Sequence, residues 1–542
     1  MRTPCAAVSL GTANQKGLLM NGAHALLDTL IEAGIEVCFA NPGTSEMHLV
    51  AAIGKTAVMR PILCLFEGVV TGAADGYARM SGKPALTLLH LGPGYANGMA
   101  NLHNASKAHS AVVNVVGDHA VWHHQYNAPL TSDVPGHARL QSDWVRVSAS
   151  AEDLALAGAE AVQAARGGAG HIATLIVPAN HAWEPAHKSY DHLQAEPLAT
   201  VSSAIVDHVA QALMNGRRTA LVLGGGALRE AALESAGRIA AGTGATLLCE
   251  TFPARMQRGA GRVALARIPY FAEQALEFLA KFEQMILIGT QQPVAFFAYP
   301  GVASLLAPPN CSMLTLAGVH DDIAAALSAL AARVAAPAAY VRQPRIVPEL
   351  IAGELTPATI ADVISACLPE NAIISDEGIT CGLEFFLRTQ GAPAHDWLAI
   401  TGGSIGQGLP VSFGASIACP GRKVIAFEAD GSAMYTVQAL WSMAREGADV
   451  TVVLLNNSSY AILNVELERL QAGEPTPKTL SMLDLSNPVI DWVSLARGMK
   501  VNASRVTTVH EFEAEFTRAM ATPGPHLIEV MVVQRPPAKL RR

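Results

Sequence analysis

The chain has 542 residues, of which half are hydrophobic and 15% are charged, so it can form several buried cores and is not a disordered chain. Its 37 Lys and Arg are outnumbered by 45 Asp and Glu, giving a formal charge of −8, which argues against a nucleic-acid-binding surface. No apolar run approaches the ~20 residues that a bilayer span needs. We therefore expect neither a nucleic acid nor a membrane among its partners.

The beginning of the chain and its cysteines indicate a compartment. A short apolar patch near residue 8 is broken by polar residues before any signal-like segment develops, so we expect residues 1–19 to be a flexible extension. The eight cysteines form no CxxC pair and lie mostly in apolar strings, as buried thiols of a reducing compartment do. The sequence predicts a cytoplasmic protein.

Short apolar runs alternate with Ala-rich stretches of helical period, a pattern typical of parallel sheets covered by helices. The predicted strands cover residues 61–66, 85–90, 112–116, 173–177, 220–223, 246–249, 285–289, 373–375, 424–427, 451–455 and 526–532. The clearest predicted helices of the first third cover residues 72–80 and 97–108.

Two Pro-containing stretches without periodicity, residues 184–197 and 335–356, divide the chain into thirds. We predict an α/β fold of three doubly wound parallel-sheet domains. Their predicted bounds are residues 20–185, 200–335 and 357–542.

Two predicted strand ends in the last third carry oxygen ligands. Asp430 follows one strand and Asn457 follows the next along the chain, and the carboxyl ends of neighbouring parallel strands meet at one edge of the sheet. With the carbonyl of Ser459, these oxygens suit Mg²⁺, which takes further ligands from phosphate and water. Gly431 and Ser432 then open a helix whose N–H groups favour an anion. The simpler alternative is a pair of ordinary turns.

This arrangement resembles the diphosphate-binding motif of thiamine-diphosphate enzymes, which reads GDG and, further along, NN. The resemblance extends from Met20 over nearly the whole chain. It implies a pyrimidine-binding, a central and a diphosphate-binding domain, with thiamine diphosphate and Mg²⁺ as cofactors and Tyr460 as a further cofactor contact. One departure is Ala429, which replaces the first Gly of GDG.

Glu67 follows the predicted strand over residues 61–66 and precedes a helix of small residues. Alone, it would be read as a helix-start carboxylate stabilised by the helix dipole. The resemblance implies a catalytic role, in which Glu67 hydrogen-bonds the aminopyrimidine and promotes removal of the thiazolium C2 proton. The protein then tunes carbanion chemistry that the cofactor carries.

The glycine-rich stretch over residues 401–410 would by itself indicate only a tight turn. The resemblance implies that the Gly403 carbonyl holds the 4′-amino group and that Ile405 supports the bent cofactor. It also implies a diphosphate contact at Thr380.

The segment Asn41-Pro-Gly-Thr-Ser-Glu46, with His90 ending the next-but-one strand, resembles benzoylformate decarboxylase and its relatives. The resemblance implies that His90 acts as an acid and base and that Thr44 binds the substrate carboxylate. An imidazole suits proton transfer near pH 7. The alternative is a structural histidine at a strand end.

Two departures from benzoylformate decarboxylase bear on the substrate. Phe296 stands where that family has a second catalytic histidine, and Ile462, Leu463 and Glu466 are expected near the substrate. The sequence therefore leaves open whether the product is an aldehyde or a carboligation product formed with an acceptor aldehyde.

Acetolactate synthase is the competing relative. The chain lacks a Gln-Trp pair after Asn457 and a recognisable FAD-binding stretch, and residues 224–226 indicate a structural glycine turn rather than a dinucleotide fingerprint. We therefore do not expect FAD. The His-rich residues 119–125 are interpreted as a loop at the active-site rim, not as a metal site. A non-catalytic binding protein with this fold is the alternative of another class.

The resemblance also implies an assembly. Because Glu67 and Asp430 belong to opposite ends of one cofactor and to different predicted domains, we expect a homodimer or a dimer of dimers, with active sites at the subunit interface. The expected substrate is a small 2-oxo acid.

Overall fold

The computed structural model describes residues 20–187, 189–470 and 472–533. Cys5 and the predicted extension over residues 1–19 lie outside the described residues. Three sheets follow one another along the chain, covered by helices, which confirms the predicted α/β class with three doubly wound units. No helix in the described part of the chain combines the length and the apolar character of a membrane span.

The first sheet has six parallel strands in the order β2-β1-β3-β4-β6-β5. Its strands are β1 Val37–Asn41, β2 Arg60–Leu63, β3 Ala85–His90, β4 Val112–Asp118, β5 Trp144–Val147 and β6 Ile172–Pro178. Its helices are α1 Gly22–Glu32, α2 Met47–Ile53, α3 Glu67–Ser81, α4 Leu91–Lys107, α5 Val134–Arg139, α6 Ala151–Ala165 and α7 Ala179–Trp183. β4 and β6 are buried along their whole length, as strands covered on both faces are.

The second sheet has five parallel strands in the order β10-β8-β7-β11-β12. These are β7 Thr219–Leu223, β8 Thr246–Cys249, β10 Ala266–Arg267, β11 Gln284–Ile288 and β12 Ser312–Ala317, while β9 Met256–Arg258 leaves this sheet. The helices are α8 Ser203–Leu213, α9 Glu230–Thr243, α10 Ala272–Leu279 and α11 Ile323–Arg333.

The third sheet has seven strands in the order β17-β18-β16-β15-β13-β14-β9, and β9 is antiparallel to β14. Its own strands are β13 Ile373–Glu377, β14 His395–Ala399, β15 Val424–Ala429, β16 Val450–Asn456, β17 Asn502–Val506 and β18 His526–Met531. The helices are α12 Pro357–Cys367, α13 Ile379–Arg388, α14 Gly408–Ala418, α15 Asp430–Ala433, α16 Ala439–Glu446, α17 Ala461–Arg469, α18 Pro477–Leu480, α19 Trp492–Gly498 and α20 Val509–Ala521. β9 thus joins the middle of the chain to its last sheet.

Each sheet reverses its direction of winding beside its first strand. β1 lies between β2 and β3, β7 between β8 and β11, and β13 between β14 and β15. In doubly wound sheets, ligands bind outside the carboxyl ends of the strands at such a switch point. The topology therefore offers three candidate ligand positions.

The first and third sheets meet within one chain through α3 and α14. A Cβ built on Gly414 would lie 1.9 Å from the Ala73 carbonyl oxygen, and one on Gly76 would lie 2.1 Å from that of Val411. Glycine therefore lets the two helix backbones touch.

The predicted strand over residues 61–66 is shorter than expected. β2 ends at Leu63, and α3 already begins at Glu67, five residues before the predicted helix start. Gly68 and the valines after it favour a helix only weakly, but packing of α3 against α4 and α14 overrides that preference. Glu67 is thus a helix-start residue rather than a strand-end residue.

Candidate active site

Half-buried His90 and buried Glu46 form a pair at the switch point of the first sheet. His90 ends β3, and its Nδ1 lies 2.8 Å from Oε2 of Glu46 in the short turn after β1. Glu46 is fully buried and also accepts a hydrogen bond from the Gly43 N–H at 2.7 Å. Burial raises the pKa of Glu46, while the Gly43 N–H and the charge of His90 lower it. The carboxylate therefore orients the imidazole.

Gly43 brings the turn after β1 against His90. A Cβ on Gly43 would lie 2.3 Å from Nδ1 of His90, so only glycine fits at this contact. Thr44, the next residue, is exposed. The structure thus places the predicted residues Thr44 and His90 at the same crevice.

Glu67 shares this crevice. Its side chain is 7% exposed, and its Oε2 accepts a hydrogen bond from Nδ2 of Asn97 at 3.0 Å. A Cβ on Gly94 would lie 3.2 Å from Oε1 of Glu67 and 3.3 Å from Cβ of His90. Glu67 and His90 therefore flank the same backbone segment of α4, with a space that a side chain on Gly94 would fill.

Asp430 lies at the switch point of the third sheet, directly after β15. It is 2% exposed, its Oδ1 accepts from the Gly431 N–H at 2.9 Å, and its Oδ2 accepts from the Ser458 N–H at 2.6 Å. Burial raises the pKa of Asp430 to about 6, and backbone N–H groups oppose that rise. Because no Lys or Arg of the described residues neutralises this carboxylate, its surroundings fit a bound cation.

Asn457 follows β16, which pairs with β15 in parallel register up to Ala429 and Leu455. Its Oδ1 accepts a hydrogen bond from the Ser459 N–H at 3.0 Å. Among the described residues, no cluster of three or more His, Cys, Asp or Glu is placed to hold a metal. The predicted magnesium set accordingly has one carboxylate, Asp430, and takes its other oxygens from an amide, a carbonyl and the cofactor.

Tyr460 lies against the second glycine of the diphosphate motif. A Cβ on Gly431 would lie 2.4 Å from the Tyr460 ring. Ser432 is 3% exposed, and its hydroxyl donates to the Ala429 carbonyl at 3.1 Å. Ala429 itself is the last residue of β15.

Glu377, at the end of β13, hydrogen-bonds the glycine-rich loop before α14. Glu377 accepts hydrogen bonds from the Gly406 N–H at 2.6 Å and the Gly408 N–H at 2.5 Å. Burial raises the pKa of Glu377 to about 7, and these N–H groups oppose the rise. Sequence reasoning did not assign Glu377 a role, although its place at a strand end was a signal.

Asn101, on α4, connects the same loop to the start of α3. Its Nδ2 donates to the carbonyl oxygens of Gly68 at 2.8 Å and Gly406 at 3.1 Å. Gly403 adopts φ +72° and Ile405 is half-buried. The loop that carries the two predicted cofactor contacts therefore lies beside the start of α3 in the same chain.

Strained backbone adjoins three predicted site residues. Leu91, Ile379 and Ser458 have φ of +54°, +46° and +53°, in the left-handed region that non-glycine residues rarely adopt. They are the direct neighbours of His90, Thr380 and Asn457. Such strain collects at functional sites, and five other non-glycine residues of the described chain share this φ region elsewhere.

Phe296 lies against the glycine-rich loop before α14. A Cβ on Gly403 would lie 2.4 Å from the Phe296 ring, and the ring packs with Phe252 and Tyr270, each 5.6 Å away between centroids. Phe296 is 41% exposed. It therefore forms an aromatic wall next to the loop.

The three predicted substrate residues on α17 differ in their exposure and contacts. Leu463 is exposed and Ile462 half-buried, whereas Glu466 hydrogen-bonds Tyr299 and lies 3.5 Å from Nη1 of Arg469. Burial and this carboxylate raise the pKa of Tyr299. The structure joins α17 to the loop of the second sheet that also carries Phe296.

A cavity of about 850 Å³ lies at the switch point of the second sheet. Gly225, Gly226, Glu250 and Thr290 are among its lining residues. A Cβ on Gly224 would lie 2.7 Å from the Gly289 carbonyl oxygen, which is a packing reason for that glycine. The expectation that no FAD binds stays a prediction.

Known proteins match the chain over most of its length. Residues 20–142 and 384–530 match the family models "Thiamine pyrophosphate enzyme, N-terminal TPP binding domain" and "Thiamine pyrophosphate enzyme, C-terminal TPP binding domain". A Mycobacterium tuberculosis protein named "Putative acetolactate synthase large subunit IlvX" is 49% identical, over 95% of this chain and 99% of its own. Benzoylformate decarboxylase of Pseudomonas aeruginosa is 30% identical, over 92% of this chain and 96% of its own.

The fold has a solved counterpart. The structure of Rhodococcus jostii RHA1 thiamine diphosphate-dependent 4-hydroxybenzoylformate decarboxylase matches with a TM-score of 0.83 at 24% identity, covering 95% of this chain and all of that chain.

The chain belongs to the thiamine pyrophosphate (thiamine diphosphate) enzymes. Within them it is a member of the group that contains acetolactate synthase and benzoylformate decarboxylase. The family and the thiamine cofactor predicted from the motifs are thereby confirmed. The roles of the individual site residues stay predictions.

Proposed function

We propose that this enzyme decarboxylates a 2-oxo acid with thiamine diphosphate and Mg²⁺, releasing an aldehyde or joining the acyl unit to an acceptor aldehyde. The observation that supports this best is the crevice in which Glu67 and His90 flank one segment of α4. A carboxylate for cofactor activation and an imidazole for proton transfer are the groups that this chemistry needs.

The third sheet would hold the charged end of the cofactor. Asp430, Asn457 and the Ser459 carbonyl would hold Mg²⁺, which would offset the negative charge of the diphosphate. The N–H groups of Gly431 and Ser432 would donate to diphosphate oxygens. Two further predicted contacts, Thr380 and Tyr460, follow β13 and β16, the strands on either side of β15.

The bound cofactor supplies an electron sink at its thiazolium ring. Glu67 would share a proton with the aminopyrimidine, while the Gly403 carbonyl would accept a hydrogen bond from the 4′-amino group. Ile405 would support the bent conformation. These assignments explain why a buried carboxylate, which is costly without a partner, begins α3.

On the substrate side, the Thr44 hydroxyl would donate to the carboxylate, and His90 would move a proton at the carbonyl oxygen. Phe296, Ile462 and Leu463 would form an apolar wall, which favours an apolar substituent on the 2-oxo acid. This wall supports a substrate class close to that of benzoylformate decarboxylase.

The test is a panel of 2-oxo acids with apolar and polar side chains, assayed for CO₂ release with and without an acceptor aldehyde. We expect CO₂ release that depends on thiamine diphosphate and Mg²⁺, with apolar acids preferred. No CO₂ from any acid in the loaded enzyme would contradict the proposal.

A condensation of two 2-oxo acids, as in acetolactate synthase, is the second candidate. The name of the 49% identical relative and the cavity of the second sheet favour it. We expect the purified protein to show no flavin absorbance and added FAD to leave the activity unchanged. Stoichiometric flavin would support the second candidate instead.

A further inference from the structure

His119 lies one strand away from His90, in the loop that the sequence analysis placed at the active-site rim. It directly follows β4, the neighbour of β3, and His90 pairs across the two strands with Gly117, two residues before His119. Gly117 has no side chain, and the position that a Cβ would take lies 1.8 Å from Oε1 of Glu46. The ends of β3 and β4 and the buried Glu46 therefore form one compact group.

The His119 ring lies among other imidazoles, with its centroid 5.2 Å from that of His123 and 6.0 Å from that of His124. Burial lowers the pKa of His119, Asp118 opposes this, and the charges of His123, His124 and His90 lower it further. Asp118 accepts a hydrogen bond from the His119 backbone N–H at 2.7 Å and lies 3.3 Å from Nε2 of His124. The charged groups that act on this ring are Asp118, His123, His124 and His90.

Nε2 of His119 is buried but has no hydrogen-bond partner among the described residues. Oε1 of Glu46, in the same group, is also buried and unpartnered. A buried polar atom without a partner is costly, so a ligand or substrate that bonded Nε2 of His119 would stabilise this group.

The reaction needs a proton donor that Phe296 cannot be. In decarboxylation to an aldehyde, the bond between the carboxylate and carbonyl carbons breaks, CO₂ leaves, and the carbonyl carbon gains one proton. The carbonyl oxygen needs proton transfer of its own. One imidazole would have to serve both atoms in turn, since the residue at the position of the second histidine is apolar.

We propose that His119 is the second proton-transfer residue of this site, delivering from Nε2 the proton that replaces CO₂ at the carbonyl carbon, while His90 serves the carbonyl oxygen. The half-buried ring then regains a proton from solvent. This inference rests on the proposed function.

The first test compares His119→Gln with His208→Gln, an exposed imidazole on α8, away from this loop. We expect His119→Gln to slow aldehyde formation about 100-fold with little change in KM, while the first turnover still releases CO₂. Added imidazole should restore part of the rate. The His208→Gln enzyme should stay within about twofold of wild type. Unchanged aldehyde formation in His119→Gln would overturn the proposal.

The second test needs no turnover. Histidine imidazole NMR of the cofactor-free protein, with the His119 signal assigned through His119→Gln, should show a pKa below the ordinary value that rises in His90→Gln. A His119 pKa that is the same in His90→Gln as in the wild type would overturn the shared site, whether or not the wild type releases CO₂. Absence of CO₂ from wild type together with an intact NMR coupling would instead count against the proposed function alone.

Discussion

The buried carboxylates Asp430, Glu377 and Asp396 differ in whether a cation neutralises them. This difference distinguishes the candidate site from the rest of the fold. Asp430 and Glu377 are buried, their pKa values are raised, and they are held by backbone N–H groups. Asp396 is equally buried, yet Arg255 at 2.7 Å and Arg422 at 2.6 Å outweigh burial and hold its pKa below the usual range. A carboxylate without a cation can bind a ligand, whereas Asp396 is already neutralised and has a structural role.

The Glu67 prediction concerns activation rather than affinity. Glu67→Gln should still bind the cofactor but slow exchange of its thiazolium C2 proton about 100-fold, because an amide cannot share the proton. The measurement is hydrogen–deuterium exchange followed by NMR after acid quench. Glu32→Gln, at an exposed position, is the matched control. A C2-proton exchange rate in Glu67→Gln equal to that of the wild type would contradict this role of Glu67.

Asp396 carries the pH prediction. Asp396→Asn should lower the free energy of unfolding by about 3 kcal/mol, because it leaves two guanidinium groups without their carboxylate. The folded pKa of Asp396 lies below the ordinary 3.8, so its contribution is complete above that value and is lost as the pH falls through the folded pKa. Urea unfolding at pH 7 and pH 3.5 should show a larger difference between the two proteins at pH 7. Equal differences at both pH values would contradict the assignment.

Strand ends are visible in the sequence, and Asp430, Asn457 and His90 were proposed as site residues because each ends or directly follows a strand. Their roles stay predictions. The partners Glu46 and Asn97 were not identified, because their contacts with His90 and Glu67 span 44 and 30 residues. Only the fold brings these partners together.

Among the elements, the α3–α14 contact determines how the first and third sheets meet. Gly76 and Gly414 let the backbones touch, and the buried pair of Arg79 with Asp75 extends from α3 to the Ala399 carbonyl at 2.9 Å. This packing positions Glu67, at the start of α3, relative to the loop before α14.

Gly414→Ala tests this contact. The new methyl group would meet the Ala73 carbonyl oxygen at 1.9 Å, so we expect a loss of about 2 kcal/mol or more in unfolding free energy from overpacking. The matched control is Gly498→Ala, in a helix where a Cβ meets nothing within 4 Å, and there alanine should be neutral or stabilising by up to about 1 kcal/mol. Thermal and urea unfolding measure both. Equal effects would show that the contact is not tight.

Elements with a clean apolar run were predicted closely. β3 and β8 have their predicted bounds, since each is a short apolar run, with Pro84 directly before β3 and Glu250 directly after β8. α3 was predicted to start too late, and β9 was not predicted as a strand. β9 has three residues and exists because β14 offers it an edge, which is a tertiary cause.

At the scale of the whole molecule, the question is whether one chain or two chains form each active site. Within a single chain, Asn101 joins Gly68 to Gly406, so the two cofactor-binding halves are in contact. The predicted site between subunits of a homodimer or dimer of dimers instead combines Glu67 of one chain with Asp430 of another. The predicted domain bounds likewise stay predictions.

Complementation distinguishes these arrangements. Glu67→Gln and Asp430→Ala chains, each inactive alone, are mixed under conditions in which subunits exchange. A site between chains gives mixed dimers one site with both lesions and one with neither, so activity should partly return. Demonstrated exchange without recovered activity would place each site within one chain.

The central claim is that Asp430 anchors thiamine diphosphate through Mg²⁺ at the third sheet. Isothermal titration of thiamine diphosphate in the presence of Mg²⁺ tests it most directly, with Asp28→Ala, at an exposed position on α1, as the control. The account predicts tight, Mg²⁺-dependent binding to wild type and Asp28→Ala, and an affinity at least about 100-fold weaker in Asp430→Ala, because the diphosphate loses its metal bridge. Unchanged affinity in Asp430→Ala would contradict it.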